Sequence, residues 1–299
     1  MTLRVGNAPC SWGSLEFESL HEEINYVQML DEMVATGYVG TELGSLGVLP
    51  TTPAELNETL SAHQLSLMGG FVPVALADPD AHAAGIALAL KTAELMASVS
   101  SDAYVVLADD NGTVPSRTQN AGRVASEHGL SPEQWEHFVA GTHAVAEAVR
   151  GKTGLATVFH HHCGGYVETP AEVERLMHHT DPSLIGLCLD TGHCRFGGGD
   201  SAAFVREYAE RIRHVHFKDC SDAVATRVRE EGLDYFQAVD AGVFCELGEG
   251  NVDFRAVLNE LEAAGYDGWL VVEQDILPGR GSPLESARNN RAYLRELGL

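Results

Sequence analysis

The sequence predicts an α/β protein folded as a single closed (β/α)8 barrel, a TIM barrel, with residues 1–299 in one domain. Short runs of strand-forming residues alternate eight times with amphipathic segments of helical length. Such alternation is typical of a parallel sheet, because each helix carries the chain back to the start of the next strand. An open doubly wound sheet is the alternative. It would show a glycine-rich phosphate turn after the first strand, and Pro9-Cys10-Ser11-Trp12-Gly13 is not such a turn.

The predicted elements follow one another without a linker-like stretch. The predicted strands are Arg4–Pro9, Tyr38–Leu43, Leu65–Phe71, Ala103–Ala108, Leu155–His160, Ile185–Asp190, Ile212–Lys218 and Trp269–Glu273. The predicted helices are Leu20–Thr36, Pro53–His63, Ala81–Val99, Pro132–Lys152, Pro170–His179, Ala202–Glu210, Phe254–Ala264 and Pro283–Leu297. Four of these helices begin with a hydroxyl residue followed by proline, which is a common combination of an N-cap and a first helical residue.

Two connections are long, and both follow the carboxyl end of a predicted strand. Asp109–Leu130 follows the fourth strand and Asp219–Gly250 follows the seventh. Barrels of this kind build their active sites at that end, and loops of this length usually serve as lids or binding loops. The first loop holds Arg123, a candidate cation. The second holds the apolar run Tyr235–Val239, which predicts a short helix.

The charge and the cysteines exclude several classes of protein. The chain has 19 basic and 43 acidic residues, so its formal net charge of −24 repels nucleic acids and anionic membranes. The opening residues lack the basic and apolar regions of a signal peptide, so we expect a cytoplasmic protein. Six cysteines without CxxC spacing indicate reduced thiols rather than disulfides. A homo-oligomer is allowed, but the sequence defines no oligomeric state.

Carboxylates and imidazoles collect at the carboxyl ends of the predicted strands. They are Glu42, then His160, His161 and His162 with Glu168 following, then Asp190 and His193, then His214, His216, Lys218 and Asp219, and finally Glu273, Gln274 and Asp275. A barrel interior does not tolerate such groups unpaired, and a cation at the barrel mouth would satisfy them. We therefore predict one divalent metal ion with oxygen and nitrogen ligands. That chemistry suits Mn²⁺, with Co²⁺, Zn²⁺ or Mg²⁺ as alternatives.

Two neighbouring patterns allow other interpretations. Successive strand residues point to opposite faces, so at most two of His160, His161 and His162 face the site and the other is structural. Cys10, Cys163, Cys194 and Cys220 lie just beyond strand ends, where a nucleophile or a soft-metal site is the less favoured interpretation. A lone histidine at a strand end is usually structural, and the agreement of four strand ends favours a metal site.

Several segments carry a family resemblance. They are 160–169 (HHHCGGYVET), 189–193 (LDTGH), 214–219 (HVHFKD), 236–244 (FQAVDAGVF), 247–250 (LGEG) and 265–275 (GYDGWLVVEQD). Together they resemble the xylose-isomerase-like superfamily of sugar isomerases, epimerases and dehydratases over nearly the whole chain. Within it they are similar to the inosose dehydratase family. The superfamily's metal site serves many activities, whereas the insertion with Ala-Gly-Val-Phe and Leu-Gly-Glu-Gly is more specific to dehydratase-like members.

The resemblance implies roles for particular residues. The implied metal ligands are Glu168, Asp190, His216 and Glu273. His193, three residues beyond Asp190 and past a Thr-Gly turn, is expected to reach the substrate instead of the metal. The expected catalytic groups are His193, Lys218, Glu168 and Glu273, and the expected substrate-binding groups are Glu42, His160, His193, Arg123 and Lys218.

The implied activity is dehydration of a cyclic keto-polyol, a sugar-derived or inositol-derived ketone such as 2-keto-myo-inositol, through a metal-stabilised enediolate. The alternatives are a ketose isomerase or epimerase and a keto-glycoside lyase, all of which start from loss of the α-proton. A DNA-repair endonuclease of the same superfamily would need a basic groove, which the net charge of −24 opposes. A non-catalytic sugar-binding barrel would leave the ligand set without a purpose.

Overall fold

The computed structural model describes residues 3–14, 24–275 and 281–299. Nine parallel strands form one sheet in the order β3-β2-β1-β11-β8-β7-β6-β5-β4, and two further strands, β9 and β10, form an antiparallel pair. The strands are β1 Arg4–Asn7, β2 Gly40–Thr41, β3 Ser66–Leu67, β4 Gly69–Val74, β5 Tyr104–Asp109, β6 Ala156–His160, β7 Ile185–Asp190, β8 Ile212–Phe217, β9 Asp219–Cys220, β10 Phe244–Cys245 and β11 Trp269–Val272.

The sheet closes through Met68, which separates β3 from β4. The Met68 N–H donates to the carbonyl oxygen of Thr41 at 3.0 Å, and the Tyr104 N–H donates to the carbonyl oxygen of Met68 at 2.9 Å. Because Met68 bonds to strands on both sides, β3 and β4 act as two halves of the third barrel strand. The nine strands therefore build eight barrel positions, and the predicted (β/α)8 barrel is confirmed.

Each predicted strand is followed by a helix near its predicted place. The helices are α1 Tyr26–Thr36, α2 Pro53–His63, α3 His82–Ala97, α4 Pro115–Gln119, α5 Pro132–Thr153, α6 Pro170–His179, α7 Thr191–Phe196, α8 Ser201–Tyr208, α9 Asp222–Glu231, α10 Tyr235–Asp240, α11 Phe254–Ala263 and α12 Pro283–Glu296. Residues 20–23 of the predicted first helix lie outside the described residues. The hydroxyl–proline helix starts are confirmed: Thr52, Ser131, Thr169 and Ser282 each accept a backbone N–H from the first turn.

Alternating side chains divide the core into two regions. On β8, Val215 and Phe217 belong to the large apolar cluster between the strands and the helices, and the Phe217 ring lies 4.9 Å from that of Phe254 on α11. His214 and His216 occupy the opposite face and are buried inside the barrel. The sequence pattern predicted this division, and it directs the polar face of β8 toward the barrel axis.

Both long connections contain ordered elements. The connection after β5 includes α4 and a short 3-10 helix, Ser126–His128. The connection after β8 contains β9, α9, α10 and β10; α10 is the short helix that the sequence predicted, whereas α9 was not predicted. Within the described ranges, no helix is both long enough and apolar enough to cross a bilayer.

Candidate active site

Four side chains from neighbouring strands converge at the carboxyl end of the barrel. His160 ends β6, Asp190 ends β7, His216 lies on β8 and Glu273 follows β11. One nitrogen or oxygen atom of each lies within 4.8 Å of the corresponding atom of every other, and all four residues are buried. We call these residues the four-residue cluster.

The cluster has the properties of a metal site. His216 Nδ1 lies 3.2 Å from Glu273 Oε1 and 3.9 Å from Asp190 Oδ2, and His160 Nε2 lies 3.7 Å from Asp190 Oδ2. Within the described part of the chain, Asp190 Oδ2, His216 Nδ1 and both ring nitrogens of His160 have no hydrogen-bond partner. Buried polar atoms are normally paired. Two carboxylates and two imidazoles with free donor atoms fit a divalent cation that accepts oxygen and nitrogen ligands.

Glu42 supports the cluster from behind. Its Oε1 accepts hydrogen bonds from His214 Nε2 at 2.7 Å and from His216 Nε2 at 3.0 Å. Burial alone would raise the pKa of Glu42, but the two imidazoles outweigh burial and lower it to about 2. A carboxylate on Nε2 directs the other nitrogen of His216, Nδ1, toward Asp190 and Glu273. This is the usual relation between a ligating histidine and its outer partner.

Lys218 forms one side of the site. Its Nζ donates to both carboxylate oxygens of Asp275 at 2.9 and 3.0 Å and lies 3.3 Å from Glu273 Oε2. Burial would lower the pKa of this ammonium group, but the carboxylates of Asp275, Glu273 and Asp190 outweigh it and raise the pKa well above its usual value. Lys218 is therefore a fixed positive charge beside the cluster.

His193 lies next to Lys218, but on a helix and not beyond a turn. Residues 191–196 form α7 directly after β7, because Asp190 Oδ1 accepts the His193 N–H at 2.7 Å as the N-cap. His193 Nδ1 accepts the Cys163 N–H at 3.2 Å, and Nε2 lies 3.3 Å from Lys218 Nζ. Burial first, and then the neighbouring imidazoles and ammonium, hold the pKa of His193 well below its usual value, so the ring is neutral.

The three consecutive histidines point in different directions, as the sequence predicted. His160 and His162 line the central cavity. His161 instead accepts the Asp190 N–H on its Nε2 at 3.2 Å and packs against Phe204, and burial lowers its pKa to about 3. His161 is the structural member of the run. The cavity also borders Glu42, His216, Lys218, Glu273 and Asp275, with Ala8, Pro9, Cys10, Ser14, Gly44, Ser45 and Phe71 on the other side.

Glu168, an expected metal ligand, lies apart from the four-residue cluster. Its Oε1 accepts the Gly122 N–H at 2.7 Å and its Oε2 accepts the Gly164 N–H at 3.0 Å. The carboxylate therefore joins the loops that follow β5 and β6. The physical reason is distance along the chain: Glu168 lies eight residues beyond the end of β6, after Val167 with a φ of 66°, whereas His160 ends the strand itself.

Arg123 also lies away from the cavity. Its guanidinium donates to the carbonyl oxygens of Gln119, Val228 and Leu233 and so joins the connection after β5 to α9. The guanidinium is hydrogen-bonded to these backbone carbonyl oxygens. This placement does not support a substrate-binding role for Arg123. The six cysteines are all unbridged, and burial raises the pKa of the Cys163, Cys194 and Cys220 thiols, so none of these three is an activated nucleophile.

Sequence reasoning did not assign two residues that touch the site. Asp275 holds Lys218, and its position two residues beyond Glu273 on the same strand end was the available signal. Phe244, in the connection after β8, places its ring against both Lys218 and His193. Phe244 is far along the sequence from Lys218 and His193, so no sequence pattern could reveal these contacts.

Buried carboxylates, imidazoles and an ammonium group around one cavity at the carboxyl ends of barrel strands define an enzyme active site. The family model described as "Xylose isomerase-like TIM barrel" matches residues 24–297. The chain belongs to this family.

Similarity to individual proteins extends over nearly the whole chain. An inosose dehydratase of Geobacillus thermodenitrificans is 33% identical over 98% of this chain and 97% of its own. The solved structure of a probable 3-DHS dehydratase from Bacillus anthracis matches with a TM-score of 0.73 and 16% identity over 98% of this chain and 99% of its own. A D-allulose 3-epimerase from Methylomonas sp. matches with a TM-score of 0.71 and 16% identity over 99% and 98%. The two structural matches support the fold alone.

Proposed function

We propose that this chain is a metal-dependent hydro-lyase that removes water from a cyclic polyol ketone of the 2-keto-myo-inositol type. The observation that carries the proposal is the four-residue cluster beside the Lys218–His193 pair. The chemical class of the substrate is supported by relatives named inosose dehydratase at 30–33% identity over nearly the full length.

The proposed metal ligands are His160, Asp190, His216 and Glu273, with His160 in place of Glu168. The set suits Mn²⁺, with Co²⁺, Zn²⁺ or Mg²⁺ as alternatives. When bound, a divalent cation supplies Lewis acidity that polarises a ketone and acidifies the neighbouring C–H. Glu42 holds His216 in the orientation that binding of the cation through Nδ1 requires.

The chain's own groups would move the protons. Glu273 lies between His216 Nδ1 and Lys218 Nζ, and its carboxylate is the proposed acceptor of the α-proton. Because the Cys163 N–H occupies Nδ1 of His193, the neutral ring carries its proton on Nε2. His193 can therefore pass this proton to the β-hydroxyl as it leaves as water, and the Lys218 ammonium group, 3.3 Å from Nε2, would resupply the proton to the ring. Lys218 stabilises the negative charge that develops on the substrate oxygens.

An epimerase would use the same proton acceptor but return the proton to carbon, so product analysis separates the two activities. The metal-loaded protein should be incubated with 2-keto-myo-inositol and, separately, with ketoses. The molecular masses of the products should then be measured by mass spectrometry. We expect loss of one water from the keto-inositol and no change of the ketoses. A new isomer of unchanged mass would overturn the dehydratase proposal in favour of epimerisation.

A second experiment tests whether the reaction depends on a bound metal ion. Chelation should abolish the reaction, and Mn²⁺ or Co²⁺ should restore it. Activity that survives complete metal removal would contradict the assignment of the four-residue cluster.

A further inference from the structure

The ring of Phe244 contacts both groups proposed to assist the departure of water. The ring centroid lies 4.9 Å from Lys218 Nζ, and it lies 4.8 Å from the centroid of the His193 imidazole, with 68° between the two ring planes. Phe244 is 3% exposed and Lys218 is 2% exposed, so no bulk water separates them. One aromatic side chain thus borders a buried ammonium group and a buried neutral imidazole at the same time.

The chain fixes Phe244 in place by two independent means. Phe244 lies on β10, which pairs antiparallel with β9 so that Phe244 is opposite Cys220. The residue before Cys220, Asp219, is fully buried, and its carboxylate accepts four backbone N–H groups. These come from Cys220 at 2.8 Å, Gly248 at 2.9 Å, Gly250 at 3.0 Å and Val252 at 3.0 Å. The aromatic ring is therefore tied to the residue that immediately follows Lys218.

An aromatic face attracts an ammonium group through the quadrupole of the ring, and the attraction is strongest when both are desolvated. The edge-to-face packing against His193 restricts the rotation of the imidazole that holds the proposed acidic proton. An aliphatic side chain of similar size would fill the same space but supply neither effect. The contribution of the ring can thus be separated from that of its volume.

We infer that Phe244 is a positioning residue, which holds Lys218 and His193 in the relative orientation that proton donation to the leaving hydroxyl needs. This inference rests on the proposed function of that pair. Phe244 acts through the two side chains that its ring contacts.

The kinetic test compares four variants of the full-length, metal-loaded protein. Phe244→Leu and Phe244→Met remove the aromatic face, Phe244→Tyr keeps it, and Phe236→Leu makes the matched change on α10. We expect Phe244→Leu and Phe244→Met to lower kcat roughly 5- to 30-fold, the range that a buried cation–π contact represents, with KM and bound metal within about twofold of the unmodified protein. Phe244→Tyr should restore kcat, and Phe236→Leu should leave it unchanged.

A second readout does not need activity. The chain has three lysines, Lys91, Lys152 and Lys218, so labelling lysine with ¹³C at Cε gives three resolvable NMR signals. The ring current of Phe244 should displace the Lys218 signal. The displacement should disappear in Phe244→Leu and persist in Phe236→Leu.

The outcomes are distinct. If the unmodified protein dehydrates no keto-inositol while the lysine signal behaves as expected, the proposed function fails but the contact stands. If Phe244→Leu and Phe244→Met keep kcat within twofold, or lose it only in proportion to the unfolded fraction, Phe244 merely packs the core and the inference is overturned. An unmoved Lys218 signal in Phe244→Leu would overturn it as well.

Discussion

Glu42 and His216 are joined by a hydrogen bond of 3.0 Å between Oε1 and Nε2, although 174 positions separate them in the sequence. The bond connects the strand end of β2 to β8 across the interior of the barrel. It fixes which nitrogen of His216 faces Asp190 and Glu273. A residue expected to bind substrate is thereby part of the support for the proposed metal centre.

This relation predicts the effect of Glu42→Gln. The amide keeps the size of the side chain but loses the negative charge that orients two imidazoles. We expect metal affinity to fall roughly 10- to 100-fold, as is usual when an outer partner of a ligating histidine is lost. Isothermal titration with Mn²⁺ measures this. Glu58→Gln, on the exposed face of α2, is the matched control and should leave the affinity unchanged.

The proposed ligand set makes a second prediction, which compares His160→Ala with Glu168→Gln. His160 belongs to the four-residue cluster, whereas backbone N–H groups hold both oxygens of Glu168. We expect His160→Ala to weaken metal binding by more than the roughly 10- to 100-fold cost of losing an outer partner, and Glu168→Gln to leave it within about twofold. Metal content after dialysis decides between them. The reverse pattern would restore Glu168 as the ligand.

The third prediction concerns His193→Ala. Loss of the imidazole should leave bound metal nearly unchanged and lower kcat/KM by about 10²–10⁴, the usual range for a general acid. The Cys163 N–H also loses its acceptor, so the free energy of unfolding should fall by about 1–3 kcal/mol. Activity must therefore be expressed per folded molecule, with His178→Ala on the surface of α6 as control. A folded His193→Ala protein of full activity would contradict the role.

The fourth prediction concerns the dependence of stability on pH. Burial raises the pKa of Glu168 from 4.5 to about 7, although two backbone N–H groups and Arg117 oppose the shift. Between these values the folded chain holds a proton that the unfolded chain has released, so the contribution of Glu168 to stability declines as pH rises from about 4.5 to about 7.

The comparison of the unmodified protein with Glu168→Gln isolates this group. The difference in free energy of unfolding, unmodified minus variant, should decrease by up to about 3 kcal/mol between pH 5 and pH 8. Urea titrations of both proteins at the two pH values measure the change. A difference that stays constant with pH would show that Glu168 keeps an ordinary pKa in the folded state.

The barrel could be predicted from the sequence because the patterns that indicate its strands and helices each lie within a short stretch of the chain. Alternation along β8 predicted which face meets the helices, and the hydroxyl–proline pairs fixed four helix starts. α7 escaped prediction because its cap, Asp190, is also the last residue of β7, so no linker separates strand from helix.

Prediction of the site was incomplete for a different reason. Asp190, His216 and Glu273 lie at or next to strand ends, where the barrel geometry fixes their direction. Glu168 lies in a loop whose path depends on Val167 at a positive φ and on contacts to another loop, and no local pattern reveals that path. The same holds for Arg123, whose partners lie on α9, a helix the sequence did not predict.

The carboxylate of Asp219 has a further consequence for how the substrate range of such an enzyme could change. It ties residues 248–252 to the start of β9, so the chain leaves and re-enters the barrel at one fixed point. The intervening segment from Ser221 to Val243, with α9 and α10, leaves from and returns to this base, and Arg123, Arg195 and His162 contact it from the barrel side. Because Tyr235 of this segment contacts His162 at the cavity, changes in the segment would reach the substrate side of the site while the Asp219 base keeps Lys218 and the strand ends in place, which makes the segment the part of the barrel for laboratory evolution to vary.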